Sequence, residues 1–175
     1  METTTYKPSL SERINIRMLI FFGVLAVLIG YPVYLYVDQV VTGGIKSHGS
    51  YLEVDLKSMG NFAFDGNNGT VDDVPMKWRQ LDGKRVLLTG EVWAPNEAGD
   101  KMHKFELVYS IAKCCFGGPP RVQERVFAVV PPNMDVPNMT YSFAKVTGTL
   151  HVKINKDGGA ITTVYVLDVD KVEPM

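Results

Sequence analysis

Hydrophobic and polar positions along the chain fall into three successive patterns. From Met18 to Val37 the residues MLIFFGVLAVLIGYPVYLYV run without a charge. At about 1.5 Å per helical residue this stretch covers about 30 Å, the thickness of a bilayer's hydrocarbon core. It has no polar face to turn toward water, so the pattern predicts a membrane-spanning helix. Tyr31, Tyr34 and Tyr36 lie in its last third, where amphipathic rings suit the headgroup level, and Asp38 closes it. Pro32 is tolerable in a membrane helix, because a local kink or a neighbour satisfies the freed carbonyl. A second region, from Tyr51 to Gln80, mixes signals. Tyr51 to Leu56 alternates as a strand, and Gly60 to Thr70 is turn-rich with two buried-looking aromatics, Phe62 and Phe64. Asp72 to Gln80 has early acids, Pro75 near a first turn and basic residues at its end, which predicts one short helix.

From Leu81 onward the period is two. Val86, Leu88, Gly90 and Val92 share one face of the first run, and Phe105, Leu107, Tyr109 and Ile111 share one face of the second. Arg125 to Val130 is the third run, bounded by Pro131 and Pro132. The fourth sets Ala144, Val146, Gly148, Leu150 and Val152 inward against Lys145, Thr147, Thr149, His151 and Lys153 outward. Asp157, Gly158 and Gly159 then predict a hairpin into the fifth, Ala160 to Val169. Mid-strand glycine in the first and fourth runs permits the bend that closure of a small sheet requires. The expectation is a mostly β fold: one N-terminal transmembrane helix plus a small OB-like five-stranded β-barrel with one short helix. A flat antiparallel sheet is the alternative. Trp93, Phe105, Leu107, Val146 and Leu150 are expected inside the barrel or closing it.

Charge on the flanks orients the helix. Lys7, Arg13 and Arg17 precede it against Glu2 and Glu12, and only Lys46 follows closely. Positive-inside bias then gives a cytoplasmic tail over 1–17, a transmembrane helix over 18–37, a linker over 38–49 and an extracytoplasmic domain over 50–175. A cleaved signal peptide would have a shorter apolar region ending in small residues, whereas YVDQVVTGG follows this one. With 175 residues, the part beyond the helix suffices for one small domain with one core. The chain carries 18 basic and 19 acidic residues. That balance supplies no basic field for phosphates, so nucleic acid is not an expected partner. Two cysteines cannot form a disulfide framework, and the core must hold the domain.

The chemically unusual segment is KCCFGGPPR, Lys113 to Arg121, directly after the second strand. Cys114, Cys115, Phe116, Gly117, Gly118, Pro119 and Pro120 form the candidate functional loop. Three readings of the cysteines stand: two small buried residues packing under a fixed loop, a vicinal disulfide or redox pair, and metal ligation. Metal would need further ligands. His103 and His151 are weak candidates, each at a position that ordinary surface histidines occupy, and no zinc spacing accompanies them. Patterns for a nucleophile elbow, a phosphate loop and a His-Glu-x-x-His site are missing, so neither an enzyme nor a bound cofactor is expected.

The segments YLEVDLKSMGNFAFD, VPMKWRQLDGKRVLLTGEVWAP, FELVYSIAKCCFGGPPRVQERV and VTGTLHVKI with VYVLDVDKVEP resemble an uncharacterised family of bacterial single-span membrane proteins. More loosely, they are similar to exported bacterial domains sharing an LDGK-x-V-x-x-x-G strand and a later loop with Cys before Pro-Pro. Those relatives tend to carry Cys-x-His in that loop, where here Cys114 is followed by Cys115 and Phe116. The resemblance implies a barrel-like module of the cell envelope; with the span and orientation read above, the chain is expected in the bacterial inner (plasma) membrane, single-pass, with its domain outside. Together these readings point to a membrane-anchored binding or assembly module with a protein partner in the envelope. The rival is a metal-handling or thiol-redox protein using Cys114 and Cys115.

Two measurements check these expectations. A reporter active only outside the cytoplasm, fused after Met175, is expected to be active, and activity of a cytoplasm-only reporter would reverse the orientation. Mass analysis after alkylation without reduction separates the thiol readings: two adducts exclude a disulfide between Cys114 and Cys115, and a mass two hydrogens short with no adduct establishes it.

Overall fold

The computed structural model describes residues 16–97, 99–112 and 118–175. The chain divides into two compact units, Met1–Gly43 and Gly44–Met175. Within the first, helix α1 spans Ile16–Thr42 and contains Pro32. Its Ile16–Val37 portion is long and apolar enough to cross a membrane and is nowhere buried against protein. That fits a single-pass anchor or a signal sequence. The helix runs five residues past the expected end at Val37, into part of the expected linker.

The second unit is mostly β. Its elements are β1 (Ile45–Ser47), β2 (Leu52–Val54), α2 (Leu56–Met59), α3 (Met76–Arg79), β3 (Lys84–Trp93), β4 (Lys104–Val108), β5 (Arg125–Val129), β6 (Phe143–Asp157) and β7 (Ala160–Pro174). Short 3-10 turns lie at Val71–Asp73 and Val122–Glu124. All seven strands belong to one sheet. β3 pairs β4, β4 pairs β5, β7 pairs β6 and β6 pairs β3, all antiparallel, while β5 and β7 pair in parallel. Pairing that starts at β3 therefore returns to it. β3 shares its second edge between two partners: β2 takes Val86–Leu88 in parallel and β4 takes Glu91–Trp93.

The five expected strands are present, and the local departures have physical causes. Residues 45–47, expected in the linker, pair with β2 as an edge strand, and the amide of Asp55 donates to Gly44 O at 2.8 Å. The expected strand to Leu56 stops at Val54, because the Asp55 carboxylate accepts from the amides of Lys57 and Ser58 at 3.2 and 3.3 Å and so caps α2. The expected helix from Asp72 to Gln80 is broken: Val74, the residue before Pro75, is extended, as proline disfavours helical geometry in the residue ahead of it. β4 ends at Val108, so Tyr109 is exposed rather than inward, and Ile111 instead donates its amide to Glu91 Oε2 at 2.6 Å.

Inward positions obey the period. Val86, Leu88, Val92, Phe105, Leu107, Val126, Ala144, Val146, Leu150 and Leu167 are all buried in one core. Trp93 is the exception among the expected interior residues. It is half-buried on the opposite face, because Val92 takes the inward direction and successive side chains alternate. The mid-strand glycines allow close strand approach: a Cβ on Gly90 would lie 2.5 Å from Val108 O, and one on Gly148 would strike Asp168 O. β6 and β7 also slip register between Thr147 and Gly148. Gly158 and Gly159, at φ 57° and 87°, make the two-residue turn between β6 and β7. The Tyr165 hydroxyl is buried and donates to Met59 O at 3.4 Å, and burial pushes its pKa up.

Truncating Leu107 or Leu150 to alanine is expected to cost about 2–5 kcal/mol, because each is fully buried and leaves a cavity. Thr149→Ala, on the outer face, is expected to stay within about 0.5 kcal/mol. Urea melts of the unit from Gly44 rank the three, and Thr149→Ala as the worst would contradict the register.

Candidate binding face

Alternation along β4 decides which side chains leave the core. Phe105 and Leu107 point inward, so Lys104, Glu106 and Val108 share the outer face. The pairing register places Trp93 of β3 beside Glu106, and Phe127 of β5 on the other side of Glu106. Trp93, Glu106 and Phe127 thus form one row across three strands. Neighbouring strands stand about 4.8 Å apart, so the two rings flank the carboxylate about 10 Å from each other.

Arg125, two residues before Phe127 on β5, donates from Nη1 to both Glu106 oxygens, at 3.2 and 3.1 Å. Both side chains are about three-quarters covered, so this pair is better shielded than the surface pairs elsewhere on the unit. Arg125 Nε is buried and has no partner among the described residues. A cleft of about 400 Å³ opens over this row, lined by Trp93, Pro95, Lys104, Glu106, Arg125 and Phe127. Its lining combines the rings of Trp93 and Phe127 with the paired Arg125 and Glu106.

A second cleft of about 270 Å³ lies next along the same strand, where Val108 replaces Glu106 in the lining. Gly118, Pro119 and Pro120 border it together with Leu56, Lys57 and Tyr109. Lys57 Nζ stands 5.4 Å from the Tyr109 ring centroid. Arg121 and Glu124 tie the rim: the Arg121 amide donates to Glu124 Oε2 at 3.0 Å and its Nη2 to Oε1 at 2.9 Å.

Of the loop residues singled out from sequence, Gly118, Pro119 and Pro120 therefore sit at a cleft, while Cys114, Cys115, Phe116 and Gly117 lie outside the described residues. The two histidines do not converge. His103 is exposed beside Glu97 at 3.5 Å, and His151 Nε2 lies 3.1 Å from Asp168 Oδ2 with Asp82 at 3.8 Å from Nδ1. Among the described residues no group of three or more His, Cys, Asp or Glu side chains could hold a metal. The outer row was missed by sequence reasoning, although a signal existed. Trp93 and Phe127 are aromatics at positions out of phase with their buried neighbours Val92 and Val126, which puts large apolar rings on the outer face.

No protein-family model and no curated protein sequence matches the chain. Among solved structures it is similar to a DUF3299 family protein from Pseudomonas aeruginosa, with a TM-score of 0.51 and 18% identity. The match covers 73% of this chain and 97% of that one, and at this identity it shows the fold alone.

Proposed function

We propose that the chain is a membrane-anchored binding or assembly module of the bacterial cell envelope, whose extracytoplasmic β unit takes a protein partner on the outer face of β3, β4 and β5. The row of Trp93, Glu106 and Phe127 under its cleft carries this reading. Half-exposed aromatic rings around a shielded arginine pair match the composition of binding hot spots, where Trp, Tyr and Arg dominate. The strand circuit supports an OB-like barrel: five strands in cyclic order, with one parallel pairing between the third and the fifth. In such barrels the second and third strands offer the binding face, and those positions belong to β4 and β5 here. The face favours protein over nucleic acid, because Lys104 and Arg125 are balanced by Glu97 and Glu106. We assign no reaction and no cofactor; in the two clefts, Glu106 and Glu124 are each bound to an arginine.

A photoreactive residue replacing Phe127 in the full chain, in native membranes, is expected to trap one discrete protein partner. The same residue at Lys153, exposed on β6, is expected to trap none. Trp93→Ala is expected to weaken the partner's binding by about 2 kcal/mol or more without lowering the melting temperature appreciably. Equal trapping from both positions, or none from Phe127, would contradict the assignment.

A further inference from the structure

The β unit exposes few large apolar side chains, and several of them gather at one end of its sheet. Tyr141, Phe143 and Met175 are 71%, 47% and 70% exposed. The amide of Met175 donates to Phe143 O at 3.0 Å, so these two residues lie side by side on adjacent strands. Tyr141 has φ 68°, the one positive value among described non-glycine residues. This conformation is unfavourable for a bulky side chain. Two backbone bonds hold it, Tyr141 N–H to Val92 O at 2.8 Å and Val92 N–H to Ser142 O at 2.9 Å. Just before it, the Asn138 side chain accepts from both the amide and the hydroxyl of Thr140, at 3.1 and 2.8 Å. The turn is thus fixed so as to project a ring that makes little contact with the core.

Register shows which end this is. Ile45 pairs Val54, Val54 pairs Leu88 and Leu88 pairs Val146, and three residues further along β3 Glu91 pairs Phe143. Gly44, where the unit begins, and Phe143 therefore share one end of the sheet. The tether from the apolar span to that end is short. The apolar span ends at Val37 and the helix at Thr42. Five helical residues advance about 7.5 Å, close to the depth of one headgroup layer. Gly43 alone then separates the helix from the unit.

We infer that the end of the β unit carrying Tyr141, Phe143 and Met175 docks on the lipid headgroup surface of the membrane that α1 crosses. This inference rests on the anchored reading proposed above. Tyrosine, phenylalanine and methionine suit the boundary between headgroups and acyl chains, where a ring is half apolar and half wet. Lys145, exposed on β6 two residues after Phe143, adds a cation for lipid phosphates. Docking removes from water the apolar side chains that folding leaves out, and it explains why an aromatic is held in a conformation that glycine or asparagine adopts more readily.

The test uses the full chain in vesicles of phosphatidylcholine and phosphatidylglycerol, with bromine near the top of the acyl chains as quencher. Tyr141→Trp and, separately, Met175→Trp are expected to lose most of their added emission relative to unbrominated vesicles, while Lys153→Trp is expected to keep it. Met175→Trp guards against a folding defect from altering the fixed turn. A chain that floats with the vesicles but leaves both added tryptophans unquenched would overturn the docking and spare the anchor. Equal quenching at Lys153 would overturn it as well. A chain that fails to float would overturn both readings.

Discussion

Close backbone approach at two glycines is the constraint on which the β unit depends. At Gly90 and Gly148 a carbonyl oxygen of a neighbouring strand occupies the space a side chain would need. This lets β3 coil sharply enough to exchange β2 for β4 along one edge while holding β6 along the other. The circuit of pairings from β3 back to β3 follows from that coiling. So does the position of β4, whose inward residues enter the core while Lys104, Glu106 and Val108 line two adjoining clefts.

Much of this was legible in the sequence, because long strands with one buried face repeat their period many times. β6 is the clearest case: every expected inward residue from Ala144 to Val152 is buried. The apolar run of α1 was equally plain, since twenty uncharged residues admit few alternatives. The elements that escaped are short or decided by a single contact. β1 has three residues, too few for a period to register, and β2 keeps only Leu52–Val54 of the strand expected over Tyr51–Leu56. Asp55 ends β2 by capping α2, and Pro75 divides an apparent helix by extending Val74. The inward assignment of Trp93 ranked size above phase, and alternation from Val92 overrules it.

The candidate site was less legible, for a different reason. Sequence draws attention to rare words such as Cys-Cys-Phe-Gly-Gly-Pro-Pro, whereas a binding face is assembled from ordinary residues by register. Trp93, Glu106, Arg125 and Phe127 come from three strands and meet only because β4 pairs with both β3 and β5. The two signals nonetheless converge, since Pro119 and Pro120 border the cleft that adjoins this row. Shielding matters here as much as position: Arg125 and Glu106 pair with each other within the cleft lined by Trp93 and Phe127.

The β3–β6 pairing is the link that returns the circuit to β3. Nuclear Overhauser contacts across it, measured on the unit from Gly44, test it most directly. The account predicts contacts between Leu87 and Thr147 alongside those between Glu106 and Phe127, with slow exchange of the β6 amides bonded to β3. Contacts along β3–β4–β5 without any between β3 and β6 would describe an open sheet and contradict it.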